Sequence, residues 1–481
     1  MKLTEYAQYD GLGLAELIRK KEVTVKEVLN LSLEGVHKIN PKINALIETY
    51  DDRIEKAEKL LRPEAPFCGL PFFLKDLGAT ESGKHQEMGS RLAKGYIADK
   101  DSFLTRRFKD AGVIILGRTT TPEFGMTFTT ESILTGATRN PWDLDRTTGG
   151  SSGGAAAVVA AGILPISYAN DGGGSIRVPA ACCGVIGLKP SRGRVTTGPD
   201  FDELIFGVAQ EFVVSRTARD TAAMLDAVSI PAVGDPFIIV QPRESYYKGL
   251  SSPLGQLRIG FTTETWTGDE VDTEIADKVS AIARECEKMG HIVKQAMPSF
   301  DYEPFFKAQN ILWDASLGIS CDGLAEKMGR NINTDSLEPV DFDEYKRSKR
   351  LSISDLLNAL TTLNRARRQV GQFFETYDLL LTPTTAQLPV PLGTIHLNQK
   401  ISIEEYEKTA FYWVPFTNLF NITGQPAISL PLGQSKDNLP IGMQFVARFG
   451  KEDVLLKVAR AFEEVLPWFD RRPPVHVSKI E

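Results

Sequence analysis

GGSSGGAAAVVAAGILPISYANDGGGSIR, residues 149–177, decides the fold. Two glycine-serine clusters, Gly149-Gly150-Ser151-Ser152-Gly153-Gly154 and Asp171-Gly172-Gly173-Gly174-Ser175-Ile176-Arg177, bracket a small apolar run. Glycines crowded against serines bring backbone close to a reacting group. The spacing predicts a buried helix over 155–161 and a strand over 163–168 that delivers the second cluster. Upstream, Gly69-Leu70-Pro71-Phe72-Phe73-Leu74-Lys75-Asp76 is a short apolar run punctuated by Gly and Pro, and reads as another strand. Asp101-Ser102 is a candidate N-cap for a helix through Phe108 to Ala111, stopped by Gly112 before a buried strand over 113–117. Helix and strand alternate, which is the pattern of an α/β sandwich with a partly parallel sheet.

Farther out the text is less even. Residues 11–61 read as helices: Leu14, Leu17 and Ile18, then Val25, Val28, Leu29, Leu33 and Val36, fall at helical spacing, with Pro41 expected to close the second helix. Between about 235 and 410 helices are expected over 271–288 and 352–376, with little else legible. Strands return over 378–383, 426–431 and 441–446, followed by a helix over 452–466. No repeat, low-complexity tract or linker interrupts the chain, so one continuous domain is expected.

Composition narrows the function classes. Apolar residues make up 42% and charged residues 24%, ordinary values for a globular protein. The net charge of -7 leaves no basic footprint for nucleic acid or an anionic membrane. The start, Met1-Lys2-Leu3-Thr4-Glu5-Tyr6, lacks the apolar run of a signal peptide, and no window reaches the roughly 18 apolar residues of a spanning helix. Cys68, Cys182, Cys183, Cys286 and Cys321 form no Cys-x-x-Cys pair, so no zinc knuckle or disulfide framework is expected. They read as buried packing residues in a reducing cytoplasm. Neither metal nor cofactor is expected, and a homodimer is left open.

A serine hydroxyl needs a base before it attacks. Five histidines are present, His37, His85, His291, His396 and His476, and none stands in a setting that pairs it with these serines. The Gly-x-Ser-x-Gly elbow is absent around both. Lysine is the other known base, provided burial or a neighbouring cation lowers its pKa from about 10.4. Lys75 is the unusual lysine because it ends an apolar run; on position alone, a chain that snorkels out to solvent remains the competing reading. Gly172-Gly173-Gly174 ahead of Ser175 can aim N–H groups at a tetrahedral oxyanion. A loop of this kind can also hold phosphate, although no Gly-x-x-x-x-Gly-Lys-[Ser/Thr] is present and Asp171 would repel one.

Together Lys75, the Ser151 loop and the Ser175 loop resemble the pattern of the amidase signature family, with the two serines 24 residues apart as in the family. The likeness runs over about 65–200 and returns from Phe416 through Asn421, Gly424-Gln425-Pro426-Ala427 and Leu439-Pro440-Ile441-Gly442. Asn170-Asp171 departs from the Thr-Asp more usual before the glycines. The resemblance implies an α/β/α sandwich with a central mixed sheet covered by helices. The whole chain, 1–481, would be one amidase domain, with its core over 65–230 and 415–470 and a variable substrate-covering region over about 235–410. It also implies Ser175 as nucleophile, Ser151 behind a cis peptide as proton relay, and Lys75 as base, working through an acyl-enzyme. The N–H groups of Gly172, Gly173, Gly174 and Ser175 would form the oxyanion hole, while Ser152, Asp171 and Arg177 support the loops.

Expected substrates are small linear or cyclic amides, a 6-aminohexanoate cyclic dimer among them. Met126 is a candidate pocket residue. Phe305, Phe306, Trp313, Phe411, Tyr412 and Trp413 divide between pocket and core, with core favoured for any one of them. Two other readings stand beside this one: a glutamine-hydrolysing subunit of a tRNA-dependent amidotransferase, and a non-enzymatic phosphate-binding module.

Overall fold

The structure, a computed structural model, describes residues 1–479. Eight strands form one mixed sheet, in the spatial order Ile292–Gln295, Arg258–Phe261, Leu379–Pro383, Pro440–Ala447, Ala427–Gln434, Ile186–Lys189, Gln210–Ser215 and Ile166–Asp171. The first three run parallel to one another and every later pairing is antiparallel. Helices cover both faces. At Gly442 the helix Arg177–Cys183 comes so close that an added Cβ would lie 2.4 Å from the Ala181 Cβ. Phe445, three residues on and therefore on the other face, packs on Phe462 of the helix Glu452–Val465 with ring centroids 5.5 Å apart. The result is the expected α/β/α sandwich.

A smaller sheet places the lysine. Its strands are Leu46–Thr49, Ile114–Thr119 and Pro71–Lys75, with Ile114–Thr119 in the middle, antiparallel to the first and parallel to the last. Pro71–Lys75 lies against the edge strand Ile166–Asp171 of the large sheet, where the Ser167 hydroxyl donates to the Phe73 carbonyl at 3.1 Å. That contact brings the ends of both strands to one point.

Several expected elements are present with small shifts. Ser102 accepts from the Thr105 N–H at 3.1 Å and starts the helix Phe103–Asp110. The helices Thr273–Lys288 and Ile353–Thr376 stand where the periodicity puts them. Three readings are corrected. The stretch over 11–61 is not all helix, because Leu46–Thr49 pairs with Ile114–Thr119 as an edge strand of the small sheet. Pro41 does not close its helix, which runs Val25–Ile43 and ends at Asn44, φ 48°. Proline there removes one donor in the last turn, while Ile39 and Ile43 stay buried on the packed face and hold that turn in place. The strand expected over 163–168 is Ile166–Asp171 instead. Gly162, φ 76°, ends the helix Gly153–Ala160, and the Ile163 N–H folds back onto the Val158 carbonyl at 3.0 Å. Ile163 is therefore spent in the turn.

The stretch over 235–410 contributes three strands to the large sheet. It also supplies the helices Tyr302–Met328, Pro339–Ser348 and Ile403–Trp413. All five cysteines are buried and unpaired.

Candidate active site

Lys75 ends a strand whose five residues are all buried, and is itself 1% exposed. It does not snorkel. Its Nζ donates to three uncharged oxygens: Asn170 Oδ1 at 2.6 Å, Ser151 Oγ at 2.7 Å and Ser152 Oγ at 3.0 Å. No carboxylate pairs with it among the described residues. Burial disfavours the ammonium and, against the attraction of Asp171 and Glu211, brings its pKa down to about 7. Near neutral pH a large share of Lys75 is therefore free amine.

Asn170 is the partner that motif reading missed as a site residue, although its departure from the family pattern marked the position. Its Nδ2 donates to the Leu77 carbonyl at 2.8 Å and to Tyr168 Oη at 3.3 Å, which turns Oδ1 toward Lys75. Tyr168 in turn donates to Glu211 Oε1 at 2.8 Å. Burial raises the Glu211 pKa to about 7. Only the register between Ile166–Asp171 and Gln210–Ser215 puts Glu211 beside this group, and no local motif announces it.

The peptide Gly150–Ser151 is cis. Gly150 has no room for a side chain, because a Cβ there would fall 2.2 Å from the Thr129 carbonyl oxygen. Ser152 joins the two serine loops: its N–H donates to the Ser175 carbonyl at 3.2 Å and its hydroxyl to the Asn170 carbonyl at 3.1 Å. Lys75 and Ser151 are thus bonded directly. Ser175 is brought in through backbone, 6% exposed on a cavity wall, and its hydroxyl makes no hydrogen bond among the described residues.

Behind the second loop lies a buried ion pair. Arg177 donates from Nε to Asp171 Oδ2 at 2.8 Å and from Nη2 to Oδ1 at 2.9 Å. Burial pushes the Asp171 pKa up, but Arg177 and the Asn421 amide outweigh it and hold the carboxyl at about 2. Arg177 Nη1 reaches the Thr417 carbonyl at 2.9 Å and Gln444 Oε1 at 2.7 Å, while Thr417 Oγ1 donates to the Gly173 carbonyl at 2.5 Å. Asp171 and Arg177 face this scaffold. The N–H groups of Gly172, Gly173, Gly174 and Ser175 donate to no group of the described chain. Four adjacent free donors beside a serine hydroxyl suit a developing oxyanion.

A cavity of about 610 Å³, counting the space open to solvent, lies over Gly173 and Ser175. Met126, Phe128, Trp313, Tyr406 and Phe411 give it an apolar wall, and Asn310, Glu344 and Glu407 add polar groups. Of the six aromatics singled out, Trp313 and Phe411 line it. Phe305 and Trp413 are core, Phe306 backs Phe411 at 5.0 Å, and Tyr412 is 42% exposed. Tyr406 and the two glutamates carry no sequence signal, since helix packing alone brings them to the cavity, and Phe128 reaches it from the loop after Glu123–Gly125.

The chain matches the family model described as Amidase over residues 27–456. It is 37% identical over 476 residues to the 6-aminohexanoate-cyclic-dimer hydrolase of Paenarthrobacter ureafaciens, covering 96% of each chain. The solved structure of 6-aminohexanoate cyclic dimer hydrolase complexed with substrate aligns at a TM-score of 0.93 and 36% identity, covering 98% of this chain and 99% of that one. A bacterial aryl acylamidase of the amidase signature family aligns at a TM-score of 0.87 and 25% identity, over 98% and 99%.

Proposed function

We propose, from the premise that this chain belongs to the amidase family, that it hydrolyses amides through Ser175, Ser151 and Lys75. Amide hydrolysis is the family's reaction; the roles of the residues and the choice of amide are our reading. The observation that carries it is a buried lysine, with no carboxylate partner among the described residues, bonded to Ser151 Oγ at 2.7 Å. As free amine, Lys75 keeps two N–H bonds, to Asn170 and Ser152, and turns its lone pair to the Ser151 hydroxyl. Ser151 passes its proton to Lys75 and takes the Ser175 proton as Ser175 Oγ attacks the amide carbon. The N–H groups of Gly172 through Ser175 hold the oxyanion. The ammonium then returns the proton through Ser151 to the departing nitrogen, leaving an ester on Ser175. Water repeats the cycle against that ester, releasing the acid and restoring Ser175.

The aromatic wall and modest cavity support small linear or cyclic amides. The relative's printed substrate makes 6-aminohexanoate cyclic dimer the first to assay. A glutamine-hydrolysing role has less support, since the α-carboxylate of glutamine asks for a cation and Arg347 near this cavity is already taken by Asp314 and Glu407. The phosphate reading loses its cation, because Lys75 points at the serines. We further propose one amidase domain over 1–481, whose 235–410 stretch shapes the pocket, working in the cytoplasm, where five unpaired thiols stay reduced.

The test is Ser175→Ala. It should abolish turnover of an amide panel and labelling by a fluorophosphonate, with an unchanged circular dichroism spectrum. Normal turnover would overturn the nucleophile.

A further inference from the structure

Three polar residues from outside the catalytic loops share the cavity with Ser175: Asn310 on the helix Tyr302–Met328, Glu344 on Pro339–Ser348 and Glu407 on Ile403–Trp413. Arg347, one turn from Glu344, serves the acids around it. Its Nε and Nη2 donate to the two oxygens of Asp314, both at 2.7 Å, and Nη2 also donates to Glu407 Oε1 at 2.5 Å. Its Nη1 lies 3.6 Å from the exposed Glu404. Asn310 Nδ2 occupies the other Glu407 oxygen at 2.8 Å. Asp314 and Glu407 are thereby satisfied.

Glu344 is the one left over. It is 5% exposed, lines the cavity, accepts no hydrogen bond from a nitrogen or hydroxyl donor among the described residues, and shares its carboxyl proton with Asp314. Burial, then repulsion from Asp314 and Glu407, keeps its carboxyl protonated well above the usual range, against the pull of Arg347. One guanidinium thus stands among three acids, Asp314 and Glu344 buried and Glu407 half-buried, and a cation entering the cavity would take the place of the proton that Glu344 shares with Asp314. A proton shared between two carboxyls can give way to a ligand cation, which supplies both the counter-charge and hydrogen-bond donors.

This inference rests on the amidase reading above: we propose that Glu344 receives a primary ammonium of the substrate, so that the preferred substrates are amides of ω-amino acids. The ammonium belongs on the acyl chain because that part stays bonded to Ser175 through both half-reactions. The apolar side chains between the polar groups, Met126, Trp313 and Phe411 among them, suit the methylene stretch.

Three matched series of p-nitroanilides, graded in chain length, test this. One ends in an ammonium, one in the acetylated amine and one in a methyl group. At the best length the ammonium substrate should exceed both others by about 10- to 100-fold in kcat/KM, chiefly through KM, as a charge-assisted hydrogen bond warrants. Glu344→Gln should reduce that ratio to near one and Glu344→Asp should restore part of it. No wild-type preference at any length, equal preference for the acetylated series, or a preference that survives Glu344→Gln would each overturn the proposal. The wild-type comparison decides the matter even where Glu344→Gln fails to fold. Turnover of all three series by Ser175→Ala would instead sink the amidase reading itself.

Discussion

A lysine works as a base only while it is uncharged, and Lys75 is held near that state by burial. With a pKa of about 7, its free-amine fraction falls as pH drops below that value, so kcat should show an acid limb near pH 7. Ionised Glu211, reached through Tyr168 and Asn170, draws the lysine toward its charged form. Removing that charge lowers the Lys75 pKa further. Glu211→Gln should therefore move the acid limb to lower pH while Ser175 still reacts with a fluorophosphonate. A limb at the wild-type pH would dissociate Glu211 from the base. This is also where legibility in the sequence divides. Lys75, Ser151 and Ser175 stand in local patterns that can be read directly. Glu211 is a single acid in an ordinary strand, and only the pairing of Gln210–Ser215 with Ile166–Asp171 gives it a neighbour worth influencing.

At the scale of elements, two pieces of chain about 240 residues apart are locked together by Asp171 and Arg177. Loop 171–177 is held against the helix Asn418–Thr423 by Arg177, which donates to Asp171, the Thr417 carbonyl, Gln444 and Asn421. Arg177→Met leaves Asp171 buried without its counter-charge, and breaking such a pair costs about 3–5 kcal/mol. Urea unfolding should show a loss of that size, with amide turnover falling alongside because Gly173 and Gly174 hang from the same scaffold. A stability change within about 0.5 kcal/mol, the range of ordinary surface substitutions, would remove the pair from this role. The pH sign follows from an Asp171 pKa of about 2 against its ordinary 3.8. Its contribution is fully present above 3.8 and is lost as pH falls through about 2. The block from Phe416 to Asn421 was visible as a motif, but its purpose was not. A motif records which residues occur together, whereas the hydrogen bonds that explain it join segments about 240 residues apart in the chain. The helix Tyr302–Met328 was harder still. Its apolar residues serve the helix Ile353–Thr376 on one side and the cavity on another, so no single stripe marks it.

For the molecule as a whole, chemistry and selection come from different places. The reacting groups sit at one edge of the large sheet: Lys75 ends the strand Pro71–Lys75, Ser175 follows the strand Ile166–Asp171, and Ser151 precedes the helix Gly153–Ala160. The cavity wall comes chiefly from helices after residue 300, inserted in the chain between the strands Ile292–Gln295, Leu379–Pro383 and Ala427–Gln434, no two of which are neighbours in the sheet. Such a division lets the wall change while the catalytic geometry stays fixed. Phe411 tests it. Its ring closes the cavity against Phe128 at 5.5 Å and Phe306 at 5.0 Å, and it touches none of the loops that carry Lys75, Ser151 or Ser175 through a hydrogen bond. Burying a phenyl ring against substrate is worth about 1.5–3 kcal/mol. Phe411→Ala should thus lower kcat/KM for chain-bearing amides by about 10- to 100-fold, mostly in KM. Labelling of Ser175 by a small fluorophosphonate, which needs the nucleophile and little of the wall, should slow far less. Equal losses in both measurements would mean that wall and machinery are one unit, and that changing the pocket also changes the chemistry.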